Sequence, residues 1–236
     1  MTMILCQKLR CDPIRCYNSE RMKHAAWLVL LSLLYFSLTA EDVALNAERK
    51  LHSLQSIQSN FYQIYYSSSM STPLREKGKF YFKKPGSMKW VYSDPEEKFL
   101  LYKDGIFLWY VPEDKELIRG ALSKEQQEAE ILFILSGQKR LSDTYLIEFS
   151  SFPSEKPEAW QLKLTSKEEG EYSYILLEID KKTWLIRRVI LFDWAGNKTE
   201  YKFTKIKTNV RFSKDVFELK VPPDVEIIEY KPEKKK

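Results

Sequence analysis

Few residues in this chain of 236 are of a type and spacing that could carry chemistry. Three cysteines, Cys6, Cys11 and Cys16, recur at intervals of five, and their thiolates could bind a metal ion or form disulfides. This spacing matches no standard zinc-ligand pattern, and histidine partners are missing nearby. We therefore expect neither a metal centre nor a redox motif in this segment.

Acid–base catalysis has equally little support. His52 falls on a predicted helix, where an exposed or capping role is the simpler interpretation. The carboxylate pairs Glu96–Glu97 and Glu168–Glu169 lie beside predicted turns and lysines, which is typical of solvated hairpin ends rather than of a two-carboxylate glycosidase. The sequence contains no nucleophile elbow, zincin motif or glycine-rich nucleotide loop. It thus predicts no enzyme, no metal and no cofactor.

Residues 22–40 have the layout of a secretory signal peptide. A short basic start at residues 22–24 precedes an apolar run at 25–38, and Ala40 offers a small-residue cleavage point. The run is short for the roughly 20 residues that a membrane-spanning helix needs. We expect cleavage near Ala40 and translation from Met22, so that residues 1–21 are a misannotated upstream segment.

Removal of residues 1–40 changes the charge and the redox chemistry of the chain. It takes away five of the 38 basic and two of the 33 acidic residues, which leaves 33 against 31, a net charge of +2. All three cysteines are lost as well. We therefore expect an exported, soluble monomer without a disulfide or a lipid anchor, and no binding of nucleic acid.

Hydrophobic periodicity divides the remaining chain into helical and strand segments. Residues 42–57 predict a helix, because Val43, Ala47, Leu51 and Leu54 share one face of a 3.6-residue repeat. A period of two then predicts strands at 79–83, 87–93, 99–102, 106–111, 145–149, 160–164, 172–179, 184–192, 199–203 and 217–221. Between them, a capping pattern at Ser123 predicts a helix over 124–136 that buries Ile131, Leu132 and Leu135.

Roughly ten antiparallel strands with two helices predict a mainly β fold. We expect an incomplete, half-open antiparallel β-barrel, or strongly curved sheet, covered by a helical lid. Residues 41–230 should form this one domain, and residues 231–236 a charged tail. With six Trp, 14 Tyr and 13 Phe, the concave side should be apolar and suited to a hydrophobic ligand.

Two stretches in the first half resemble the LolA family of periplasmic lipoprotein carriers. Residues 83–92, Lys-Lys-Pro-Gly-Ser-Met-Lys-Trp-Val-Tyr, are similar to its Pro-Gly/Asn and aromatic-x-Trp signature. Residues 102–112 are similar to its Asp-Gly, Trp-x-Tyr-x-Pro segment. Phe61 and Gln63 stand where the family has Phe-x-Gln.

The resemblance continues in order to the end of the predicted domain. Residues 193–199, with Phe203 and Asn209, resemble the late hairpin of the family, and residues 217–225 resemble its closing strand. The correspondence covers about residues 45–228. It implies an eleven-stranded incomplete barrel with a helical lid and an apolar cavity for lipoprotein acyl chains.

The resemblance also implies partners and site residues. The partners are acylated lipoproteins, an inner-membrane lipoprotein-releasing ABC transporter and a LolB-type outer-membrane acceptor. Lys84 stands where the family usually has an arginine that acts in cargo release, so the charge is kept while the planar fork of donors is lost. With Lys84 we assign Ile131 and Leu135 to the lid. The expected lining of the acyl-chain cavity is Phe80, Phe82, Met88, Trp90, Tyr92, Leu108 and Tyr110.

Three other functions remain open at this point. A LolB-type acceptor shares the fold but carries a lipid anchor, and no cysteine lies near Ala40. An envelope sensor of lipoproteins or lipids uses a related sheet, usually with a further domain. A secreted hydrolase requires a nucleophile or metal site that the sequence does not offer.

Overall fold

A computed structural model describes residues 38–121, 134–135, 140–155, 158–168 and 170–230. It opens with helix α1 (Ala40–Ser53), which starts two residues before the predicted position 42 and buries the predicted face. The Thr39 hydroxyl accepts a hydrogen bond from the Asp42 amide at 3.1 Å, and the Asp42 carboxylate accepts one from the Thr39 amide at 3.0 Å. The helix stops at Ser53 rather than at residue 57, because Ile57 already belongs to the first strand.

Twelve strands form one sheet among the described residues. In chain order they are β1 (Ser56–Tyr66), β2 (Leu74–Lys83), β3 (Ser87–Asp94), β4 (Glu97–Lys103), β5 (Ile106–Val111), β6 (Glu116–Ala121), β7 (Tyr145–Phe149), β8 (Ala159–Ser166), β9 (Tyr172–Asp180), β10 (Ile186–Asp193), β11 (Lys198–Thr208) and β12 (Glu226–Tyr230). A four-residue helix, α2 (Leu141–Thr144), precedes β7, and a 3-10 turn (Lys214–Phe217) follows β11.

The order across the sheet is β12-β6-β5-β4-β3-β2-β1-β11-β10-β9-β8-β7, so the first and last strands are the two edges. Adjacent strands are antiparallel except for β6 and β12, which run parallel. The two edges do not pair with each other, so the sheet is not closed into a barrel. A mainly β fold with a curved, open sheet and few helices was the prediction, and it is confirmed.

Three strands were not predicted, and one predicted strand is wrong. β1, β6 and β12 are additional, which makes twelve strands rather than the eleven that the resemblance implies. Residues 217–221 form no strand: Phe217 ends the 3-10 turn, and the residues after it lie outside any ladder. Phe217 is buried against Phe212, so its apolar character serves packing instead of pairing.

The predicted second helix lies mostly outside the described residues, and so do Ile131 and Leu132. Ile134 and Leu135 are described; both are helical and buried, with 1 % and 6 % of their surface exposed. They belong to the same apolar core as α1 and the concave face of the sheet. No helix in the described ranges is long and apolar enough to cross a membrane.

The C-terminal segment crosses the convex face of the sheet. Phe212 packs on Tyr81 of β2 with 5.8 Å between ring centroids, and the Lys89 ammonium of β3 donates to the Glu218 carbonyl at 2.8 Å. Lys115 then pairs with Asp224 at 2.7 Å, just before β12 joins the edge strand β6. This strap packs on the convex side of β2 and β3, while α1 and residues 134–135 lie on the concave side.

Candidate functional site

The strand register decides which side chains share the concave face, because residues directly opposite in an antiparallel ladder point to the same side. Phe80 pairs with Trp90, Trp90 with Leu100, and Leu100 with Trp109. This row crosses β2 to β5 on the side that faces α1. The neighbouring row, from Phe82 through Met88 to Tyr102, lies on the same side.

Five of the seven predicted lining residues come together on this face. Phe80, Phe82, Met88, Trp90 and Tyr92 all have 5 % or less of their surface exposed and belong to one core. Their burial is that of a packed interior, so the structure supports their shared position, while an acyl-chain role for them stays a prediction.

Leu108 and Tyr110 lie on the opposite face. They pair with Leu101 and Phe99, and the Tyr110 ring stacks on Phe99 with 5.9 Å between centroids. The sequence stretch around Trp109 is apolar at every position, so its alternation could not show which residues face inward. By the strand register, Leu100 and Trp109 lie on the concave side, and Leu108 and Tyr110 do not.

Three further aromatic residues of the concave face were not among the predicted lining. Phe61 of β1 is fully buried, 4.8 Å from the Trp90 ring and 4.9 Å from the Tyr92 ring. Tyr201 and Phe203 of β11 lie 5.5 Å and 5.9 Å from Trp90. The Phe-x-Gln resemblance at Phe61 was the signal that could have placed it here.

A polar cluster interrupts the aromatic surface at one end. The Tyr92 hydroxyl donates to the Gln63 side-chain carbonyl at 2.9 Å. The Lys98 ammonium pairs with the Glu76 carboxylate and lies 4.8 Å from the centroid of the Tyr92 ring. Burial raises the pKa of the Tyr92 hydroxyl far above its usual range, so the hydroxyl remains a donor. A ligand on this face would meet hydrogen-bonding groups as well as rings.

Two polar contacts hold α1 over the concave face. The Lys84 ammonium donates to the His52 carbonyl in the last turn of α1, where helix carbonyls lack partners within the helix. The buried Glu48 carboxylate accepts a hydrogen bond from the Leu141 amide of α2 at 2.6 Å. Removal of Glu48 from water raises the pKa of its carboxyl above the ordinary value of 4.5. Lys84 therefore contacts the backbone of α1. Leu135 packs into the same apolar core as α1.

The space between α1 and the sheet is small in this structure. An interior space bounded by Leu51, Ile57, Phe80 and Leu135, among others, has a volume of about 20 Å³. That is room for about one water molecule. An acyl chain would need α1 or the lid to move outward. The described residues contain no group of histidine, cysteine or carboxylate side chains able to hold a metal ion.

Comparison with known proteins places this architecture in a family. The family model described as outer membrane lipoprotein carrier protein LolA matches residues 52–220, which contain β1 to β11 and most of the concave face. The chain belongs to the LolA family.

Relatives of the LolA family match over almost their whole length. An outer-membrane lipoprotein carrier protein of Methylococcus capsulatus is 25% identical over 210 residues, which cover 87% of this chain and 98% of the relative. The protein of the same description from Legionella pneumophila strain Corby is 26% identical over 201 residues, covering 85% and 95%. Both matches extend beyond the residues of the family model.

A solved structure supports the fold. An uncharacterized conserved protein from Thermus thermophilus superposes with a TM-score of 0.54 at 13% identity, covering 81% of this chain and 99% of that one. This likeness concerns the fold alone, and it agrees with an open curved sheet for the LolA family member described here.

Proposed function

We propose that this protein is a periplasmic carrier that binds the acyl chains of lipoproteins and takes them from an inner-membrane ABC transporter to the outer membrane. The observation that carries the proposal is the largely apolar concave face in a LolA-family chain, covered by a helix that two polar contacts attach. In this role the protein binds and releases its cargo without catalysis.

The physical need for such a face follows from the cargo. Each methylene moved out of water is worth about 0.8 kcal/mol, so a sixteen-carbon chain exposes about 12 kcal/mol of unfavourable surface. A lipoprotein with two or three such chains cannot leave a membrane unaided. A carrier has to match most of this free energy and still release the cargo.

The concave face could both bind and release acyl chains if α1 moves outward. Displacement of α1 would expose Phe80, Trp90, Leu100 and Trp109 as one row, and the flexible thioether of Met88 beside them adapts to chains of different shape. Lys84 and Glu48 each attach α1 by a hydrogen bond, so few polar contacts among the described residues hold α1 in place. We assign Lys84 and Leu135 to lid closure.

Export would precede this function. We propose that residues 22–40 are removed as a signal peptide, which leaves residues 41–230 as the carrier domain. Cleavage after Ala40 would remove the Thr39 cap of α1, and Glu41 and Asp42 would then stand at the new amino terminus of the helix. Mass spectrometry of the protein recovered from the periplasm after expression of the full chain determines the cleavage site.

The test of the carrier function is extraction of cargo from a membrane. Inner-membrane vesicles with the transporter and a radiolabelled lipoprotein are incubated with the exported protein and ATP. We expect a soluble one-to-one complex that requires the acyl chains, with an unacylated form of the same lipoprotein left unbound. If no acylated lipoprotein leaves the vesicles, the carrier function is wrong.

A further inference from the structure

Strands β10 and β11 separate at one end of their ladder. The ladder runs from Phe192–Lys198 to Arg188–Lys202, and beyond it β11 continues along β1 alone as far as Thr208. Ile186 of β10 pairs with Ile179 of β9 instead. Residues 185–187 and 203–206 therefore face each other without a ladder, and we call this gap the seam.

The seam is irregular on its β11 side. The β1–β11 register shifts between Gln58 and Asn60, so Ser59 between them has no partner on β11. Lys205 opposite this shift has a φ of +51°, which a residue with a side chain rarely adopts. Bulges and strained backbone concentrate near functional sites.

Two spaces meet at the seam. A cleft of about 280 Å³ opens there, close to the lower end of about 300–1,000 Å³ that is usual for small-molecule sites. The interior space of about 20 Å³ beneath α1 is also lined at the seam. Leu185, Phe203 and Ile206 line both. These three apolar side chains separate the cleft from the core.

Ser59 provides a second, independent observation. Its side chain lines the interior space, has 1 % of its surface exposed, and its hydroxyl has no hydrogen-bond partner among the described residues. A buried hydroxyl without a partner costs stability. Its presence among Ile57, Phe80 and Leu51 is explained if a ligand accepts its hydrogen bond.

The charges of the cleft indicate which ligand class fits. Arg187 pairs with Asp180, Arg188 with Glu200 at 2.8 Å, and Lys202 with Glu155. Lys205 is the fourth cation of the lining, and Glu178 beside Arg188 is the fourth carboxylate. Because the charges balance, the cleft has no strong excess charge for a free carboxylate or a phosphate. It fits an uncharged group.

We propose that the seam is the portal for the acyl chains, and that the carbonyl of an acyl ester or amide accepts a hydrogen bond from the Ser59 hydroxyl. The chain passes between Leu185 and Ile206, and its methylenes continue beneath α1 toward Leu51 and Leu135. The polar groups of the ligand beyond this carbonyl stay in the cleft. This proposal rests on the proposed carrier function and specifies its route and the recognised atom.

Photocrosslinking tests the route. The full chain is expressed with export, and benzoylphenylalanine replaces Ile206 in one variant and Leu146 in a control, since Leu146 lies on edge strand β7 with 58 % of its surface exposed. The probe is a synthetic lipopeptide with tritiated palmitoyl chains in ester and amide linkage. We expect crosslinks to the labelled chains at position 206 and none at 146. A complex that forms without crosslinks at 206 overturns the portal.

Two serine variants on the same strand test the recognised atom. Ser59→Ala should weaken lipopeptide binding by about three- to tenfold, the effect of one hydrogen bond, while the Tm stays the same or rises. Ser56→Ala is the control: its hydroxyl donates to the Val210 carbonyl at 2.7 Å, so this variant should lower the Tm and leave affinity unchanged. Unchanged affinity in Ser59→Ala means that Ser59 serves at most a trapped water, which overturns the assignment.

Free palmitate distinguishes the ligand class. We expect it to bind more weakly than the lipopeptide, and equal affinity for palmitate would contradict recognition of an uncharged linkage. The wild-type chain separates the two proposals. If the wild type binds the lipopeptide, but position 206 gives no crosslinks and Ser59→Ala keeps its affinity, the portal is wrong and the carrier function stands. If it binds no acylated probe, both are wrong.

Discussion

The concave face of the sheet has two halves with different chemistry. On β8 to β10 it consists of aliphatic side chains that are almost fully buried: Leu162, Leu164, Ile175, Leu177, Ile179 and Val189. On β1 to β5 it consists of rings, with Phe61, Phe80, Trp90, Tyr92 and Trp109 in contact with one another or with the Lys98–Glu76 pair. We call these the aliphatic half and the aromatic half.

The two halves differ in how readily their side chains can rearrange around a ligand. The aliphatic half contains branched side chains that are almost fully buried, and α1 contacts its strand β8 and the neighbouring edge strand β7. The aromatic half contains tilted and edge-on rings, a methionine and polar groups, which can rearrange around a ligand. We infer that the aliphatic half maintains the fold while the aromatic half and the seam receive the cargo.

The largest effect is expected from the aliphatic half. Leu177→Ala removes a fully buried side chain and should lower the free energy of unfolding by about 2–5 kcal/mol, which urea denaturation measures. Leu146→Ala, at an exposed edge position, should stay within about 0.5 kcal/mol of the wild type. A small effect at Leu177 would show that this half is not the scaffold.

The attachment of α1 to this scaffold is tested at Glu48. Glu48→Ala leaves the buried Leu141 amide without its acceptor, and the free energy of unfolding should fall by about 1–3 kcal/mol. Glu48→Gln keeps a side-chain oxygen as acceptor and removes the buried charge, so it should be at least as stable as the wild type at neutral pH. Equal losses in both variants would contradict this account of the contact.

The pH dependence of Glu48 has a defined sign. Because burial raises the pKa of its carboxyl above the ordinary value of 4.5, the folded state holds this proton at a higher pH than the unfolded state does. The contribution of Glu48 to the free energy of unfolding therefore decreases as pH rises from the unfolded pKa through the folded one. Urea denaturation from about pH 4 to about pH 7 should show this decrease in the wild type relative to Glu48→Gln. An increase relative to that variant would contradict it.

The aromatic half is tested by a matched pair of leucines. Leu100 and Leu108 are both half-buried and lie on adjacent strands, but Leu100 faces the concave side and Leu108 the convex side. Leu100→Gln should weaken uptake of acylated lipoprotein about tenfold through lost apolar contact, whereas Leu108→Gln should change it less than about twofold. If a vesicle extraction assay shows the larger loss of uptake for Leu108→Gln, then Leu108 lines the acyl-chain site and Leu100 does not.

The smallest effect is expected at the lid contact of Lys84. Lys84→Met removes the hydrogen bond to the His52 carbonyl, and amide exchange in α1 should accelerate up to about fivefold, as about 1 kcal/mol of attachment is lost. Lys84→Arg should keep the contact. Hydrogen-exchange mass spectrometry of a peptide within residues 40–53 compares the three proteins. Identical exchange rates would show that Lys84 does not help to hold α1 in place.

Much of the fold could be predicted because local patterns are strong. β5 and β7 have the predicted bounds. β5 is an apolar run between turn residues, and Asp104 and Gly105 before it adopt the positive φ values of a tight hairpin turn. β12 could not be predicted, because all five of its residues are exposed and show no alternation. Its place in the sheet depends on the strap that brings it to β6.

The site could be predicted only in part, because it depends on register. Every residue from Ile106 to Val111 is apolar, so sequence alone could not decide between Leu108 and Trp109 as the inward side chain. No pattern in the sequence around Ser59 indicates that it belongs to a binding site. Its significance comes from a shift in pairing with β11 and from the end of the β10 ladder, which are both tertiary features.

The most direct test of the central claim is quenching of tryptophan fluorescence by a lipopeptide with brominated acyl chains. The account predicts strong quenching in the exported wild type and in Trp194→Phe, whose replaced residue is 71 % exposed on a hairpin tip. Quenching should decrease clearly when Trp90 and Trp109 are both changed to phenylalanine, provided that the variant still binds the lipopeptide. Undiminished quenching in that bound double variant would contradict an acyl-chain site on the concave face.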